Sequence, residues 1–383
     1  MLVPHFQRNT KKLLFVGLLV SSSALYAASP YPNSSVITGI SFDWANFVES
    51  RDRKAPGSDN WPVTWAANGH QYTSWGDGGG FGGDNVIGRV SLGVGRVEGS
   101  ADAYTTANVW GGFNAENPAT FEGKSYGLLA IDNTLYMWVS PGSGNTGFQE
   151  ARLYMSTNLG ATWTGATWSF KAADGIFFPT FLQFGAGYAG ARDNYVYIYA
   201  NDLKDASDLV VQKPGAMTLM RVPKTALMDR TQYEFFDGTA AAPTWTTNMT
   251  LRKPVFNNPE GVGWTSSAIY NAGLGRYMVV TEHLATVQGY LGIFDAPTPW
   301  GPWTTVLYTN NFGQGIVANK GFFFNFSNKW TSADGKNFTF IFSGVEEQDS
   351  WNVVKGSFTA NTTPAEPITT PTGVTVNKRT VTP

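Results

Sequence analysis

Along this chain, apolar and polar positions alternate or run apolar in short stretches, and no stretch sustains the 3.6-residue period of an amphipathic helix. Gln71–Trp75, Tyr126–Ile131, Thr134–Val139, Arg152–Ser156, Tyr195–Ala200, Arg276–Thr281, Tyr290–Phe294 and Phe338–Ser343 are dominated by β-branched and aromatic residues. Each reads as a strand. Asp132-Asn133, Asn271-Ala272-Gly273 and Asp334-Gly335 read as hairpin tips. One short helical turn is expected over Pro223–Asp229, with proline near its start. The pattern predicts an all-β protein.

Repeats point to a β-propeller rather than a sandwich. Ser156 to Trp163 (STNLGATW) resembles the Asp-box turn of sialidase-like propellers, with Asn158 where Asp is usual, and Ser332 to Phe338 is a looser echo. An Asn side chain can still bond the turn backbone, so the turn is expected to form; its role is structural. A four-stranded blade takes roughly 40–50 residues, so a body from Ile37 to Thr359 holds about five to seven blades. The long loops between strands favour five.

Composition narrows the function. A hydrophobic fraction of 42% supports a real core. Net charge is −2 with 14% charged residues, which leaves no basic footprint for nucleic acid. There is no cysteine, so disulfides and thiolate chemistry are excluded. Aromatic residues reach 15%, with 14 Trp; their rings suit sugar stacking as well as ordinary cores. Arg8, Lys11 and Lys12, then apolar Leu13 to Val20, then the small residues Ser21 to Ala24, Ala27 and Ala28 read as a signal peptide over 1–28. A secreted or periplasmic protein, soluble and monomeric once processed, is the expectation. The Thr/Pro-rich segment 360–383 reads as an extended tail.

The densest chemistry lies in Ser58 to Asp84, with three aspartates, three tryptophans, His70 and a glycine run. Asn68-Gly69 makes a tight turn, so the hairpin ends carrying Asp59 and Asp77 should be neighbours. Two carboxylates at one hairpin end suit glycosidic chemistry, in which one stays protonated for the leaving oxygen and one is ionised. Equally, both could simply cap turns. Asn60, Trp61, His70 and Trp75 surround the pair as candidate substrate contacts.

A second patch runs from Trp264, a candidate substrate contact, to Phe294 and contains Glu282 and His283 at the end of a strong strand. Glu282 is a candidate third carboxylate, and His283 a donor to a substrate hydroxyl. Lys124, Tyr126, Arg152, Arg192-Asp193 and Arg252-Lys253 are polar groups at strand starts that could grip a sugar or merely be solvated. GDGGGFGGD lacks the Lys-Ser/Thr and the helix of a phosphate loop. Its spacing is not that of a calcium loop, and two histidines outside the signal cannot make a three-histidine zinc site. No cofactor or metal is expected. No G-x-S-x-G elbow is present.

The order Asp59-Asn60-Trp61-Pro62-Val63-Thr64-Trp65-Ala66, Tyr72-Thr73, Gly76-Asp77-Gly78, Arg221-Val222-Pro223-Lys224, Tyr233-Glu234-Phe235-Phe236, Gly261-Val262-Gly263-Trp264, Thr281-Glu282-His283, Phe294-Asp295-Ala296-Pro297 and Trp300-Gly301-Pro302-Trp303 resembles a bacterial secreted family long described only as a domain of unknown function. That family includes endo-D-arabinanases, glycoside hydrolases with a five-bladed propeller. The resemblance spans about Ser58 to Phe358 and implies that its two catalytic aspartates fall on Asp59 and Asp77. Ala66-Ala67-Asn68-Gly69 departs from it in lacking acidic residues found in many relatives.

Three functions follow. The first is a polysaccharide-cutting glycoside hydrolase, with an arabinan-like furanoside as leading substrate and Asp59, Asp77 and Glu282 as catalytic candidates. The second is a uronate lyase using His70 or His283 with Tyr126 or Tyr136 and Arg152. The third is a glycan-binding propeller without catalysis.

Overall fold

The computed structural model describes residues 28–142, 149–205, 210–313, 315–317, 321–344 and 349–361. The segments read as signal peptide and tail lie outside these residues except at their inner ends. Strands run from Ile37 to Ala360 and make five blades of four antiparallel strands, numbered in chain order from the innermost strand outward. Blade 1 is Val63–Trp65, Gln71–Gly76, Leu92–Ser100 and Ala103–Trp110. Blade 2 is Gly123–Ile131, Thr134–Pro141, Glu150–Ser156 and Thr164–Gly165. Blade 3 is Ile176–Gln183, Tyr195–Asp202, Gly215–Pro223 and Glu234–Phe236. Blade 4 is Ser266–Asn271, Arg276–Glu282, Leu291–Ala296 and Thr304–Thr309. Blade 5 is Phe322–Phe326, Asn337–Gly344 and Ser350–Ala360, and its outer strand is Ile37–Phe42 from the other end of the body. That borrowed strand closes the ring. The fold is a five-bladed β-propeller.

The innermost strands converge on the axis. Those of blades 3 and 4 pair in parallel, Leu182 with Ala268 and Gln183 with Ile269. The space left among Val63, Leu128, Thr180, Ser267 and Asn325 is about 10 Å³, too small for more than a single water. Function is thereby pushed to the loops at either end of the wheel.

Between blades the contacts are aromatic. Trp61, Trp75 and Phe81 of blade 1 pack against Trp330, Ile341 and Trp351 of blade 5. Trp61 and Trp351 meet edge to face at 5.4 Å. Phe324, Phe326, Phe338 and Phe340 of blade 5 join Met278 and Ile293 of blade 4. Trp75 fits because Gly93 opposite it has no side chain; a Cβ there would lie 2.2 Å from the indole.

The eight strand segments read from the sequence are all strands. The Asp-box stretch links the two outer strands of blade 2. Asn158 Oδ1 accepts from the Thr162 amide and Ser156 Oγ from the Gly160 amide, each at 2.9 Å, so Asn substitutes for Asp in this turn. Its echo at Ser332–Phe338 instead precedes the second strand of blade 5, with Asp334 Oδ1 accepting from the Lys336 amide at 3.1 Å. One expectation is corrected. Pro223–Asp229 is not a helical turn but two successive tight turns, with amides of Ala226 and Asp229 bonding back three residues to Pro223 and Ala226. The carbonyls with which a helix would continue there are taken by side chains: Tyr233 Oη donates to the Leu227 carbonyl and Trp168 Nε1 to the Met228 carbonyl, both at 2.8 Å.

Phe340 is fully buried and meets Phe326 at 4.7 Å in a T-shaped contact. Phe340→Ala is expected to cost about 3–5 kcal/mol by transfer and cavity terms. Guanidinium unfolding followed by tryptophan fluorescence measures this; a loss under about 1 kcal/mol would contradict the aromatic-wedge account.

Candidate active site

The hairpin of blade 1 sets the first two groups. Asp59 exchanges backbone hydrogen bonds with Gly76 at 3.0 and 2.9 Å, just beyond the paired strands, so both carboxylates stand at one end of the wheel. Asn60 adopts φ +59° and turns inward; its amide N–H donates to Ser343 Oγ at 3.1 Å and its side chain donates to the Ser125 carbonyl. It is therefore a buried tie between blades 5, 1 and 2, not a substrate contact. Asp77 sits at φ +56°, a left-handed conformation that Asp tolerates better than most residues.

Lys124, at the start of blade 2, is buried and pairs with Asp77 Oδ1. Arg89 approaches the same oxygen at 3.2 Å. Asp59 faces the same cation across Gly76: a Cβ at Gly76 would lie 2.9 Å from Asp59 Oδ1 and 3.4 Å from Lys124 Nζ. A third carboxylate arrives from blade 5. Asp349 precedes that blade's third strand, and its carbonyl accepts from the Gly57 amide at 2.5 Å. The group is thus Asp59, Asp77 and Asp349 with Lys124 and Arg89.

Burial pushes the Asp59 carboxyl well above the usual carboxylate range, with the negative charges of Asp349 and Asp77 adding to the effect and Lys124 opposing it. Burial likewise raises Asp349 to about 6, helped by Asp77 and countered by Lys124 and Arg89. Asp77 meets two cations and remains about one-third exposed. One acid is thus held toward its neutral form beside one carboxylate gripped by positive charge.

Asp77 and Arg89 form the inner end of a cleft of about 600 Å³ between blades 1 and 2, continued by Ser91, Phe121 and Glu122. A larger cleft of about 850 Å³ opens at the opposite end between blades 5 and 1, beside Asp102 and Lys329. None of the three clustered acids reaches it, so its size does not make it the reactive centre.

Glu282 does not join the carboxylate group. It is 1% exposed in blade 4, accepting from Thr286 Oγ1 at 3.2 Å and the Val287 amide at 3.3 Å, while Trp264 Nε1 donates to Thr286 at 2.8 Å. Burial lifts it to about 8, so it is a neutral strut behind Trp264. His283 is buried as well; its Nε2 bonds Asn310 Oδ1 at 2.8 Å, its ring stacks on Tyr308 at 3.9 Å, and burial lowers its pKa to about 4.

Other expected contacts are corrected too. Trp61 and Trp75 are fully buried between blades and face no ligand. His70 lies at the far tip of the hairpin, where it meets Glu98 at 4.0 Å. Arg152 pairs with Glu150 at 3.1 Å on the third strand of blade 2. Tyr126 and Trp264 belong to a packed cluster with Phe177, Phe178, Phe322 and Phe323 that fills the axis at the site end. The lyase set is dispersed: His70 and Tyr136 stand at the other end of the wheel, and His283 is in blade 4.

Sequence reading missed Asp349 and Arg89. Asp349 is the harder case, since only ring closure brings blade 5 beside blade 1. Arg89 carried a weak signal, a cation closing the glycine-rich loop that follows Asp77.

The profile described as "Domain of unknown function (DUF4185)" matches residues 127–320, half of the chain. Asp59, Asp77, Lys124 and Asp349 lie outside that segment. No curated protein matches the chain. Among solved structures, a candidate hydrolase from Bacteroides ovatus is similar with a TM-score of 0.51 at 9% identity, covering 83% of this chain and 90% of that one. A protein of unknown function from Dyadobacter fermentans has a TM-score of 0.47 at 8% identity, covering 85% and 100%. A GH43_1 enzyme from Xanthomonas citri, complexed with xylotriose, has a TM-score of 0.47 at 11% identity, covering 82% and 92%. At 9% identity the likeness to the Bacteroides ovatus structure speaks for the fold alone.

The raised carboxyls have a stability signature. Asp349 binds its proton more tightly folded than unfolded, so its contribution to stability falls as pH rises from about 4 to about 6. Asp349→Asn is expected to be more stable than wild type at neutral pH by on the order of 1 kcal/mol, discounted for its partial solvation. The gain should vanish at pH about 4 and below. Urea titrations at both pH values decide it; a destabilised variant at neutral pH would contradict the clustering of charge.

Proposed function

The chain belongs to the DUF4185 family, and we propose that it is an exported glycoside hydrolase that cuts a polysaccharide, with an arabinan-like furanoside as leading substrate. The observation that carries this reading is the unequal carboxylate pair, Asp59 buried and held toward neutrality beside Asp77, which Lys124 and Arg89 clamp and which opens onto one cleft. The motif resemblance to a family that includes endo-D-arabinanases supports the furanoside.

Hydrolysis needs a proton for the leaving oxygen and a base or nucleophile for the anomeric carbon. Asp59 supplies the proton as the glycosidic C–O bond breaks. Asp77 takes the proton of the water whose oxygen bonds to that carbon, or attacks the carbon itself before water releases it. Lys124 serves both states: it pairs with Asp77 throughout and offsets the charge that Asp59 acquires on giving up its proton. Asp349 adds the negative charge that helps keep Asp59 protonated, and is a positioning residue in this scheme. Dispersal of the histidines, Tyr136 and Arg152 leaves a lyase without its assembled base, acid and cation.

Asp59→Asn and Asp77→Asn are expected to fold, the second with a lower melting temperature because buried Lys124 loses its partner, and each to lose about 100-fold or more in turnover, the usual scale for removing a general acid or base. The assay is release of reducing ends from a panel including D-arabinan, L-arabinan and xylan. Gly76→Ala should also lose activity, because its methyl group displaces the Asp59 carboxylate. Near-wild-type rates in both asparagine variants, or glycan binding with no product from any polymer, would remove the enzyme reading.

A further inference from the structure

Resting on that hydrolase reading, the geometry points to the path of the substrate: the polysaccharide leaves the carboxylates radially along the cleft between blades 1 and 2, with Phe121 as its stacking platform. Two observations close the alternative route down the axis. The site end of the axis is filled by Tyr126, Phe178, Trp264 and Phe323, with Tyr126 and Phe178 centroids 3.9 Å apart and Trp264 and Phe323 4.5 Å apart. Below them the axial space is about 10 Å³. A sugar ring engaged at Asp77 has neighbours on its chain, and the cleft is the roomy direction that begins at that residue.

The cleft suits such an occupant. Its volume of about 600 Å³ is in the range of small-ligand clefts. Its floor is rigid, because the Gly123 amide donates to Ser91 Oγ at 3.2 Å and so ties blade 2 to the loop after Asp77. Phe121 lines it as a half-buried ring, backed by Tyr154 in a stacked contact at 4.3 Å and 18° and by Trp110 at 4.7 Å. A ring held in this way offers an apolar surface at little further entropic cost, as stacking on a sugar face requires. Arg89, 45% exposed, and the exposed Thr120 and Glu122 supply hydroxyl partners around it. An uncharged sugar chain, amphipathic in its ring faces and polar at its edges, is the ligand class that matches both sets of groups.

The test uses the full chain and a ladder of arabino-oligosaccharides from dimer to octamer. In wild type, kcat/KM should rise with length, mainly through falling KM. Phe121→Ala should lose about five- to tenfold on the long oligomers and nothing on the shortest one cleaved, the scale expected of one aromatic stack. Phe121→Trp should restore the length dependence. Glu122→Ala, an exposed change that cannot disturb the Trp110–Phe121–Tyr154 packing, should act in the same direction by about two- to threefold, the scale of one net hydrogen bond. Equal losses at every length, or none in either variant, would overturn the assignment. Should wild type cleave none of the ladder, the hydrolase reading fails on its own account, and titrating the same oligomers onto Asp59→Asn judges the cleft separately. Length-dependent binding that weakens five- to tenfold with Phe121→Ala added keeps it; binding indifferent to Phe121 removes it.

Discussion

Five β-sheets can share one axis only if their innermost strands approach so closely that almost nothing fits between them. Here that convergence leaves about 10 Å³ at the centre. The wedge-shaped gaps that widen outward must then be filled by side chains large enough to span them. Trp61, Trp75 and Trp351 do so between blades 5 and 1, and Phe324, Phe326, Phe338, Phe340 and Phe342 between blades 4 and 5. Most of the aromatic residues are consumed by this task. An aromatic-rich sequence is thus explained first by ring packing, and only the few rings left on clefts remain for ligands.

The same convergence gathers charge. Asp59 precedes the innermost strand of blade 1, Asp77 follows its second strand, Asp349 precedes the third strand of blade 5 and Lys124 opens the innermost strand of blade 2, so these groups come within electrostatic reach at one end of the wheel. Burial makes ionisation of Asp59 and Asp349 costly, and the nearness of the other carboxylates deepens the penalty. The two cations do not cancel this evenly. Both contact Asp77, while Asp59 faces Lys124 across Gly76 and feels the charges of both Asp349 and Asp77. Unequal burial first, and unequal pairing second, set Asp59 apart from Asp77, although the two are the same residue type.

Blade 4 shows the converse. Glu282 has the more strongly suggestive sequence setting, a carboxylate at the end of an apolar strand beside a histidine. In the fold its oxygens are tied to Thr286 and Val287 behind Trp264. Phe178 and Phe323, at φ +43° and +55°, hold sparsely populated backbone conformations to complete the aromatic plug beside it. The plug leaves the carboxylate cluster on the blade 5–1–2 side of the wheel.

Strand identity, hairpin tips and the nearness of Asp59 to Asp77 were legible from the sequence, because alternation, turn residues and a single hairpin are local properties. Repeat size narrowed the propeller to five to seven blades and the long loops favoured five, and Asn158 was legible from its turn chemistry. Which tryptophans face solvent was not, since Trp61 and Trp75 are hidden by a blade nearly three hundred residues away. Asp349, and the sorting of Glu282 and His283 into the interior, were decided by ring closure and packing. Those are long-range events: a strand's pattern says which residues share a face, but only the assembled neighbours determine whether that face meets water, another blade or a second carboxylate.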